Sequence, residues 1–449
     1  MLRNVVIATL LFCLGGAAFF GFTRLEFANQ LRFLGASIEK TQEIQPLIYR
    51  SEAPVYTTDF LNQKKEEFIR DKKTFISADL TQMSIVVYVG GEQAFETAIT
   101  AKGKDTTPWE TPAGVYEVRL KKRDHFSSIG RVHMPWSIQF QGNFFIHGVP
   151  YYPNGKEIFS QYSAGCIRLQ TVDAKKIYGM VDIDTPVIVY ESLKNITESK
   201  YEFQASAVSA KQFLVADIEN GYVFTSLQDL QNVPIREVTQ LLTSIVATEH
   251  LVVNRNIYVD ENFIVPTIKP RLESGQKFRL YDYLYLALQE ASHEATYGMV
   301  RPIGTEKALV FINEKARSIG MSTSLFTDPS GITNENSASA QDVFQLARYT
   351  YYNRSFLLKV TSDTVNDTGG NGKPRFSDIE NKNVFTGDPM FVGGKSILKN
   401  GNVIGGVFIF NIKFKNDIRP IVMIFFNSTD VRKDVEIVNQ FIQSNFVKI

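Results

Sequence analysis

Cysteine is nearly absent from this chain, since its 449 residues include only two. Cys13 lies in an apolar run close to the N-terminus, whereas Cys166 stands alone in the interior of the sequence. This shortage excludes a framework of structural disulfides, because Cys166 has no possible partner outside the N-terminal segment. We therefore interpret Cys166 as a free thiol, which in an exported protein is a candidate nucleophile.

An excess of charge of either sign is also missing. The chain has 48 Lys and Arg residues against 47 Asp and Glu residues, a formal net charge of +1. This balance gives no basic footprint and no acidic tail, so a nucleic-acid partner is not expected. We also expect no cofactor and no metal site. The hydrophobic content of 44% is ample for packed cores, and the length favours about three domains.

Charged residues are absent from residues 5–22 as well. Such a run at helical rise spans roughly 27 Å, close to the thickness of a bilayer core. It predicts a membrane anchor or a signal segment over residues 1–24. The apolar Phe19-Phe20-Gly21-Phe22 continues past the small residues at which a signal peptide would be cleaved, which favours a retained anchor. Residues 25–73 are mixed in charge and are predicted to form a partly helical stalk.

One histidine stands out relative to Cys166. His147 lies nineteen positions upstream, at the end of the apolar run Phe144-Phe145-Ile146. We interpret this run as a buried strand that delivers the imidazole to a loop edge. A cysteine paired with a histidine from elsewhere in the fold is the minimal pair for acyl transfer, because the base favours the nucleophilic thiolate.

The residues around this pair resemble a known family. His147-Gly148, a spacer of under twenty residues, and Ser163-Ala164-Gly165-Cys166-Ile167-Arg168 are similar to the signature of the L,D-transpeptidase (YkuD-type) catalytic domain. The resemblance covers residues 74–191 and includes Thr111-Pro112-Ala113-Gly114 and Met134-Pro135-Trp136. The residue before the signature glycine is often His in the family, whereas here it is Ala164, so no role of that second His is carried over.

The resemblance implies a mostly-β catalytic domain on the outer side of a cell membrane. Cys166 would attack a peptidoglycan stem tetrapeptide with His147 as its base, and an amine would resolve the thioester into a cross-link. It also implies inhibition by carbapenem β-lactams. Backbone N–H groups around Gly165 and Cys166 are the predicted oxyanion donors, because a glycine lets the substrate carbonyl approach the main chain.

Other residues of the signature have more than one interpretation. Arg168 would bind a stem-peptide carboxylate by resemblance, and its alternative is a structural ion pair. Ser163 either forms hydrogen bonds within the loop or merely shapes the turn. Gly148 is assigned to substrate binding by the same resemblance. His125 and His133 are placed in a charged loop, with a solvated or lid role rather than a catalytic one.

The pattern of the first domain is mainly one of strands. We predict strands at residues 75–80, 84–89, 93–99, 115–120, 136–140, 144–147 and 186–190. A helix follows Cys166, and Thr171 is predicted to cap it. Residues 192–210 are a polar linker.

Residues 211–449 are predicted to form a second domain of α/β (α+β) type. Strands are predicted at residues 213–217, 222–224, 403–410 and 421–426, and helices at residues 238–249, 280–297 and 306–319. This domain resembles the D-alanyl-D-alanine carboxypeptidase branch of the penicillin-binding proteins, which share a fold with the serine β-lactamases. The residues that carry the resemblance are 213–224, 307–321 and Thr327-Asp328-Pro329-Ser330-Gly331.

The catalytic motifs of that second family are altered here. In the best register the nucleophile and base positions of S-x-x-K hold Glu237 and Gln240, the S-x-N motif becomes Ala291-Ser292-His293, and the K-[ST]-G motif becomes Lys395-Ser396-Ile397. We therefore predict an inactive site. A Ser396-to-Lys399 quartet fits S-x-x-K by spacing but falls on a predicted strand, where residues three apart point to opposite faces. A dyad of Ser292 and His293 is a similarly weak alternative.

Three hypotheses for the whole protein follow. The leading one is a membrane-anchored, extracytoplasmic L,D-transpeptidase with a non-catalytic penicillin-binding-like domain. The second is an L,D-carboxypeptidase that hydrolyses the thioester at the same Cys-His site. The third is a wall-binding scaffold with both sites idle.

Overall fold

The computed structural model describes residues 59–104, 107, 109–191, 205–219, 221–261, 264–364, 374–414 and 417–445. The predicted anchor, most of the stalk and most of the linker lie outside these residues. Among the helices of the described ranges, none combines the length and the apolar character that crossing a membrane requires. The end of the predicted stalk is helix α1 (Asp59–Arg70).

The first domain consists of two sheets and a helix. Its elements are β1 (Phe75–Asp79), β2 (Ser84–Val89), β3 (Glu92–Ala98), β4 (Gly114–Glu117), β5 (Leu120–Ser127), β6 (Val132–Gln141), β7 (Phe144–His147), β8 (Ile167–Arg168), α2 (Thr171–Met180) and β9 (Pro186–Tyr190). One sheet has the strand order β3-β2-β1-β9-β4 and the other β5-β6-β7-β8.

The first domain's core lies between these two sheets and α2. Ile76 and Val187 are fully buried and come from the parallel pair β1 and β9, whereas Ile138 and Ile146 come from β6 and β7. β-Branched side chains suit such positions because they pack well on a pleated surface. The core therefore fixes β7, the strand that ends at His147.

Two details of the first domain differ from the sequence prediction. The charged stretch that begins at Lys121 is part of strand β5, which pairs with β6 at the edge of its sheet and can therefore carry exposed charged side chains. The N-cap of α2 is Gln170 rather than Thr171. The Thr171 hydroxyl instead accepts a hydrogen bond of 3.0 Å from the backbone N–H of Val149. It thereby ties the helix to the loop after His147.

The second domain is built on an antiparallel sheet with the order β11-β10-β18-β17-β16. The strands of the second domain, four of which form two separate two-stranded sheets, are β10 (Gln212–Asp217), β11 (Val223–Leu227), β12 (Val233–Pro234), β13 (Asn256–Tyr258), β14 (Lys277–Arg279), β15 (Ser337–Ala338), β16 (Phe391–Lys399), β17 (Asn402–Phe414) and β18 (Asp417–Phe426). Its helices are α3 (Thr239–His250), α4 (Leu280–Leu288), α5 (His293–Val300), α6 (Thr305–Ser318), α7 (Ala340–Asn353), α8 (Ser355–Thr361) and α9 (Val431–Asn445).

The helix predicted at residues 280–297 is wrong as a single element. The chain leaves the helix after Leu288 and starts a new one at His293. Ala291 between them has a φ of 58°, in the left-handed region that interrupts a right-handed helix. The Ser292 hydroxyl then caps α5 by accepting a bond of 3.2 Å from the N–H of Ala295.

A buried group of charges joins the two domains. The Lys315 ammonium lies 2.8 Å from one carboxylate oxygen of Glu249, and the Arg354 guanidinium lies 3.1 Å from the other. The hydroxyl of Tyr116, from β4 of the first domain, accepts a hydrogen bond of 3.0 Å from Lys315. Burial opposes ionisation of Glu249, but Lys315 and Arg354 overcome it and lower the pKa of Glu249 to about 2.

Removing one partner of this group should destabilise the protein. We predict that Lys315→Met lowers the free energy of unfolding by about 3 kcal/mol, because the buried carboxylate of Glu249 loses an opposite charge. Urea unfolding measures the change. The matched control is Lys307→Met on the exposed face of the same helix, expected to stay within about 0.5 kcal/mol of the parent. Equal effects of the two substitutions would contradict the account.

Candidate active site

Cys166 and His147 lie on neighbouring strands. β7 and β8 pair in parallel, with Ile146 beside Ile167 and His147 beside Arg168. One step earlier in that register, Cys166 lies beside Phe145. Because alternate side chains of a strand share a face, the thiol and the imidazole are on the same side of the sheet. Both line one cavity of about 230 Å³, so the structure brings together the two residues that the sequence paired.

The hydrogen bonding of His147 determines which ring nitrogen carries its proton. Its Nδ1 lies 2.6 Å from the carbonyl oxygen of Gly148, which can only accept, so Nδ1 carries the hydrogen and Nε2 is left as an acceptor. Burial lowers the pKa of His147 to about 4, which makes the ring neutral at pH 7. The N–H of Gly148 donates to the carbonyl of Pro135 at 2.9 Å, so Gly148 orients the imidazole.

The Cys166 thiol is protonated in the resting protein. The residue is 7% exposed, and burial raises the pKa of the thiol to about 11, although the Phe145 backbone and Arg168 act in the opposite direction. The imidazole therefore does not lie beside a preformed thiolate in the free protein. A proton must pass from sulfur to a base as the sulfur attacks.

The loop before Cys166 is held by its own hydrogen bonds. The Ser163 hydroxyl donates to the carbonyl of Cys166 at 2.5 Å and accepts from the N–H of Gly165 at 3.1 Å. Of the two interpretations of Ser163, bonding within the loop is the one observed. The N–H of Gly165 is thereby engaged, which leaves the N–H of Cys166 as the candidate oxyanion donor.

Gly165 is required by the packing of the loop. Its φ is +96°, and a Cβ at this position would lie 2.2 Å from Cε1 of Phe144. The left-handed conformation disfavours any residue with a Cβ, and the Phe144 ring fills the space that a side chain would need. This packing reason was not evident from the sequence, and the predicted approach of a substrate carbonyl to Gly165 stays a prediction.

Arg168 holds the loop that contains Ser160, which also lines the cavity. It is 6% exposed, and its guanidinium donates to the carbonyl and to the hydroxyl of Ser160 at 2.8 and 3.1 Å. Its Nε is buried without a hydrogen-bond partner among the described residues. The residue lines the cavity beside Cys166, so its positive charge faces the region where a substrate would lie.

The two other histidines of the first domain belong to the β5–β6 hairpin. The His125 ring stacks on Phe145 at 4.7 Å between centroids. The His133 ring stacks on Tyr151 at 5.0 Å and lies 2.8 Å from a carboxylate oxygen of Asp124. Neither of these two histidines lines the cavity that holds Cys166.

Several residues of the cavity were not found from the sequence. Trp109 and Asn143 contribute from the first domain, and the backbone oxygen of Asn143 lies 3.9 Å from the sulfur of Cys166. The second domain contributes residues from the end of α3 onward: Thr248, Glu249, Leu251 and Val252. No local pattern signals a contact between positions so distant in the chain. Within the described ranges, no cluster of His, Cys, Asp or Glu is suited to hold a metal ion.

The altered motifs of the second domain also come together. Glu237 is buried, and its carboxylate accepts a hydrogen bond of 3.0 Å from the N–H of Leu398 on β16. The Gln240 amide donates to the carbonyl of Ala291 at 3.2 Å and lies 3.5 Å from Nδ1 of His293. The segments that hold the three altered motifs therefore lie close together.

Lys395 and Ser396 of this second site are occupied by structural contacts. The Lys395 ammonium donates to the carbonyls of Ala287 and Leu288 at 2.8 and 3.0 Å, and burial lowers its pKa to about 7. The Ser396 hydroxyl accepts from the N–H of Val384 at 3.0 Å. Ser396 lies on β16, as predicted. The Ser292 hydroxyl caps α5 and forms no dyad with His293.

Each domain matches a family of known proteins. Residues 73–189 match the family of the L,D-transpeptidase catalytic domain, and residues 198–384 match the family of D-alanyl-D-alanine carboxypeptidases. Both are families of peptidoglycan-acting enzymes. The chain thus joins one domain that is similar to L,D-transpeptidase catalytic domains to a second that is similar to D-alanyl-D-alanine carboxypeptidases.

The curated relatives are similar to only part of the chain. The D-alanyl-D-alanine endopeptidase of Pseudomonas aeruginosa is 25% identical over 138 residues, which are 30% of this chain and 44% of that protein. The enzyme of the same name from Escherichia coli is 25% identical over 146 residues, or 31% and 46%. The chain spans about half the length of the curated relatives it matches.

Solved structures with low identity are also similar. The D-alanyl-D-alanine carboxypeptidase DacD from Francisella tularensis is 17% identical with a TM-score of 0.45, over 56% of this chain and 73% of that one. A penicillin-binding protein homolog from Mycobacterium tuberculosis is 16% identical with a TM-score of 0.45, over 52% of this chain and 91% of that one.

The protonation of the resting site can be tested by alkylation. We predict that the rate of Cys166 labelling by iodoacetamide rises about tenfold per pH unit from pH 7 to 10, because the thiol titrates at about 11 and only the thiolate reacts. Peptide mapping separates Cys166 from Cys13. N-acetylcysteine is the control and should level off about two pH units earlier. A plateau for Cys166 below pH 8 would contradict the assignment.

Proposed function

We propose that the protein is a peptidoglycan L,D-transpeptidase that forms cross-links through a thioester on Cys166. The observation that supports this most is the juxtaposition of a buried thiol and a neutral imidazole with a free Nε2 in one cavity, within a domain that matches the L,D-transpeptidase family. Acyl transfer needs these two groups together.

The proposed reaction begins when a stem peptide fills the cavity. The thiol proton passes to Nε2 of His147 as the sulfur attacks the amide carbonyl, and the N–H of Cys166 stabilises the oxyanion. The tetrahedral intermediate collapses by breaking the C–N bond, and the imidazolium returns its proton to the leaving amine. An acceptor amine then attacks the thioester, releasing the thiol and forming a new amide.

The neutral resting pair suits this sequence. A thiolate exposed before binding would be open to oxidation and alkylation, whereas a buried thiol becomes nucleophilic only when the proton can move to His147. The imidazolium formed during attack would lie near the negative charge that develops on the substrate. The attraction between these two charges is strong in a buried site, because the local dielectric constant is low. Arg168, 6% exposed in the same cavity, would bind a carboxylate of the stem peptide.

Hydrolysis is the alternative reaction of the same site. Water in place of the acceptor amine would make the protein an L,D-carboxypeptidase with every residue unchanged. Product analysis with and without an acceptor amine separates the two reactions. The third hypothesis, an idle scaffold, predicts that no acyl group is ever transferred to Cys166.

The second domain is proposed to be non-catalytic. The position of the nucleophile is taken by Glu237, whose carboxylate binds the N–H of Leu398, and the position of the base is taken by Gln240. Neither residue can carry out acylation by the serine mechanism, which needs a hydroxyl activated by an adjacent base.

The location is proposed to be the outer side of a membrane, with the chain anchored by residues 5–22. The uncharged character of that stretch and the location of peptidoglycan support the proposal. Protease treatment of intact cells or spheroplasts should degrade the catalytic domain, and protection under these conditions would oppose it.

Loss of the nucleophile should abolish cross-linking. We predict that Cys166→Ala lowers the formation of cross-links between third residues by at least about 10³-fold, and that His147→Ala lowers it by about 10²- to 10⁴-fold. Mass analysis of muropeptides after incubation with stem tetrapeptides measures the products. His133→Ala is the matched control and should stay close to the parent. Unchanged cross-links in Cys166→Ala would refute the proposed function.

A carbapenem should modify one site of the protein. We predict one covalent adduct at Cys166 by intact-mass analysis and peptide mapping, and none in residues 205–445, because Glu237 stands where a reactive serine is required. The acylating drug tests acyl transfer to Cys166, which alkylation by a simple thiol reagent does not. Absence of an adduct would favour the scaffold, and an adduct on the second domain would contradict its assignment.

A further inference from the structure

The cavity around Cys166 is closed on one side by the second domain. Glu249 contacts the first domain in the last turn of α3, and the residues after this helix, Leu251 and Val252, line the same cavity as Cys166 and His147. We call Leu251 and Val252 the wall of the cavity. The family resemblances do not predict this wall, because the two domains resemble separate families.

The contact between the two domains is formed by specific hydrogen bonds and close packing. The N–H of Asn143 donates to the carbonyl of Glu249 at 3.2 Å, and its side-chain amide donates to the carbonyl of His250 at 3.1 Å. The amide of Gln141 donates to the Glu249 carboxylate at 3.0 Å. A Cβ at Gly142 would lie only 2.4 Å from the carbonyl oxygen of Glu249. The turn between β6 and β7 therefore fits closely on the end of α3.

A second set of hydrogen bonds, also from the second domain, holds the segment on the other side of the loop that contains Cys166. The Arg354 guanidinium donates to the carbonyl of Glu110 at 2.6 Å, and the Ser355 hydroxyl donates to its carboxylate at 2.8 Å. Asn353 donates to the carbonyl of Thr111 at 3.2 Å. The neighbouring Trp109 lines the cavity. Both segments that flank the cysteine loop are thus fixed by the second domain.

The wall itself presents apolar atoms to the cavity. The Glu249 carboxylate is fully buried and engaged by Lys315 and Arg354, so it is not available to a ligand. The Thr248 hydroxyl donates to carbonyls within its own helix. Leu251 and the half-buried Val252 remain as the groups that a ligand would touch.

We propose that the substrate groove is a two-domain site, in which Leu251 and Val252 of the second domain select an uncharged, aliphatic part of the peptide that reaches Cys166. The proposal rests on the proposed acyl-transfer function for the identity of the peptide, but the wall acts on any bulky molecule that enters. The second domain then has a role in the first domain's reaction although its own site lacks the acylating residues.

The wall can be tested with two thiol reagents of different size. Iodoacetamide reports access to the sulfur alone, and an iodoacetyl-Ala-Ala peptide reports access for a chain that must pass the wall. The ratio of the two labelling rates at Cys166 is measured for the parent, Val252→Trp, Val252→Ala and the matched control Val310→Trp. Val310 is 49% exposed on α6 and is absent from the cavity.

The expected result is a fall of the peptide-to-iodoacetamide ratio by at least about tenfold in Val252→Trp, a rise or no loss in Val252→Ala, and a ratio within twofold of the parent in Val310→Trp. A parental ratio in Val252→Trp would overturn the proposal, and so would an equal fall of both rates, because the substitution would then act on the thiol itself.

The same variants separate this proposal from the proposed function. If the parent transfers no acyl group from a stem tetrapeptide, the function fails, while the ratio of labelling rates still decides whether the wall exists. If the parent is active, Val252→Trp should raise KM for the tetrapeptide at least about tenfold with kcat within threefold of the parent. An unchanged KM would oppose selection by the wall.

Discussion

The parallel pairing of β7 with β8 is the constraint on which the site depends. It places His147 beside Arg168 and Cys166 one step earlier beside Phe145, so three functional groups share one face. Neither strand is long, and β8 has only two residues. Its position is secured by the loop bonds of Ser163 and by the packing of Phe144 against Gly165. The candidate active site thus depends on a short pair of strands that is stabilised by close packing.

The second domain contributes to that support. The buried charges of Glu249, Lys315 and Arg354 hold the end of α3 against the turn before β7. Burial of such a group is costly unless every charge is paired, so the interface has few alternative arrangements. The altered motifs of the second domain make structural contacts of their own, since Glu237 accepts a hydrogen bond from Leu398 and Lys395 donates to Ala287 and Leu288.

The sequence predicted the strands and the pairing of Cys166 with His147, because alternation along a strand and the residues of the signature are local features. It failed where the deciding contact is distant. Thr171 was assigned to a cap although its hydroxyl binds Val149, and the helix at residues 280–297 was continued through Ala291, whose left-handed conformation no composition rule requires. The wall formed by Leu251 and Val252 was missed for the same reason. The burial of Cys166, which raises the pKa of its thiol, was likewise not predictable, because burial is a property of the folded chain.

The central claim is that the resting site is a neutral pair, with the proton on Nδ1 of His147 bound to the Gly148 carbonyl and Nε2 free to accept the thiol proton. Nitrogen NMR of the protein labelled with ¹⁵N-histidine tests it most directly. At pH 7 the account predicts a protonated Nδ1 and an unprotonated Nε2 for His147, assigned by its loss in His147→Ala, with protonation of the ring only as the pH falls toward 4. Two protonated nitrogens at pH 7, the signature of an imidazolium paired with a thiolate, would contradict it.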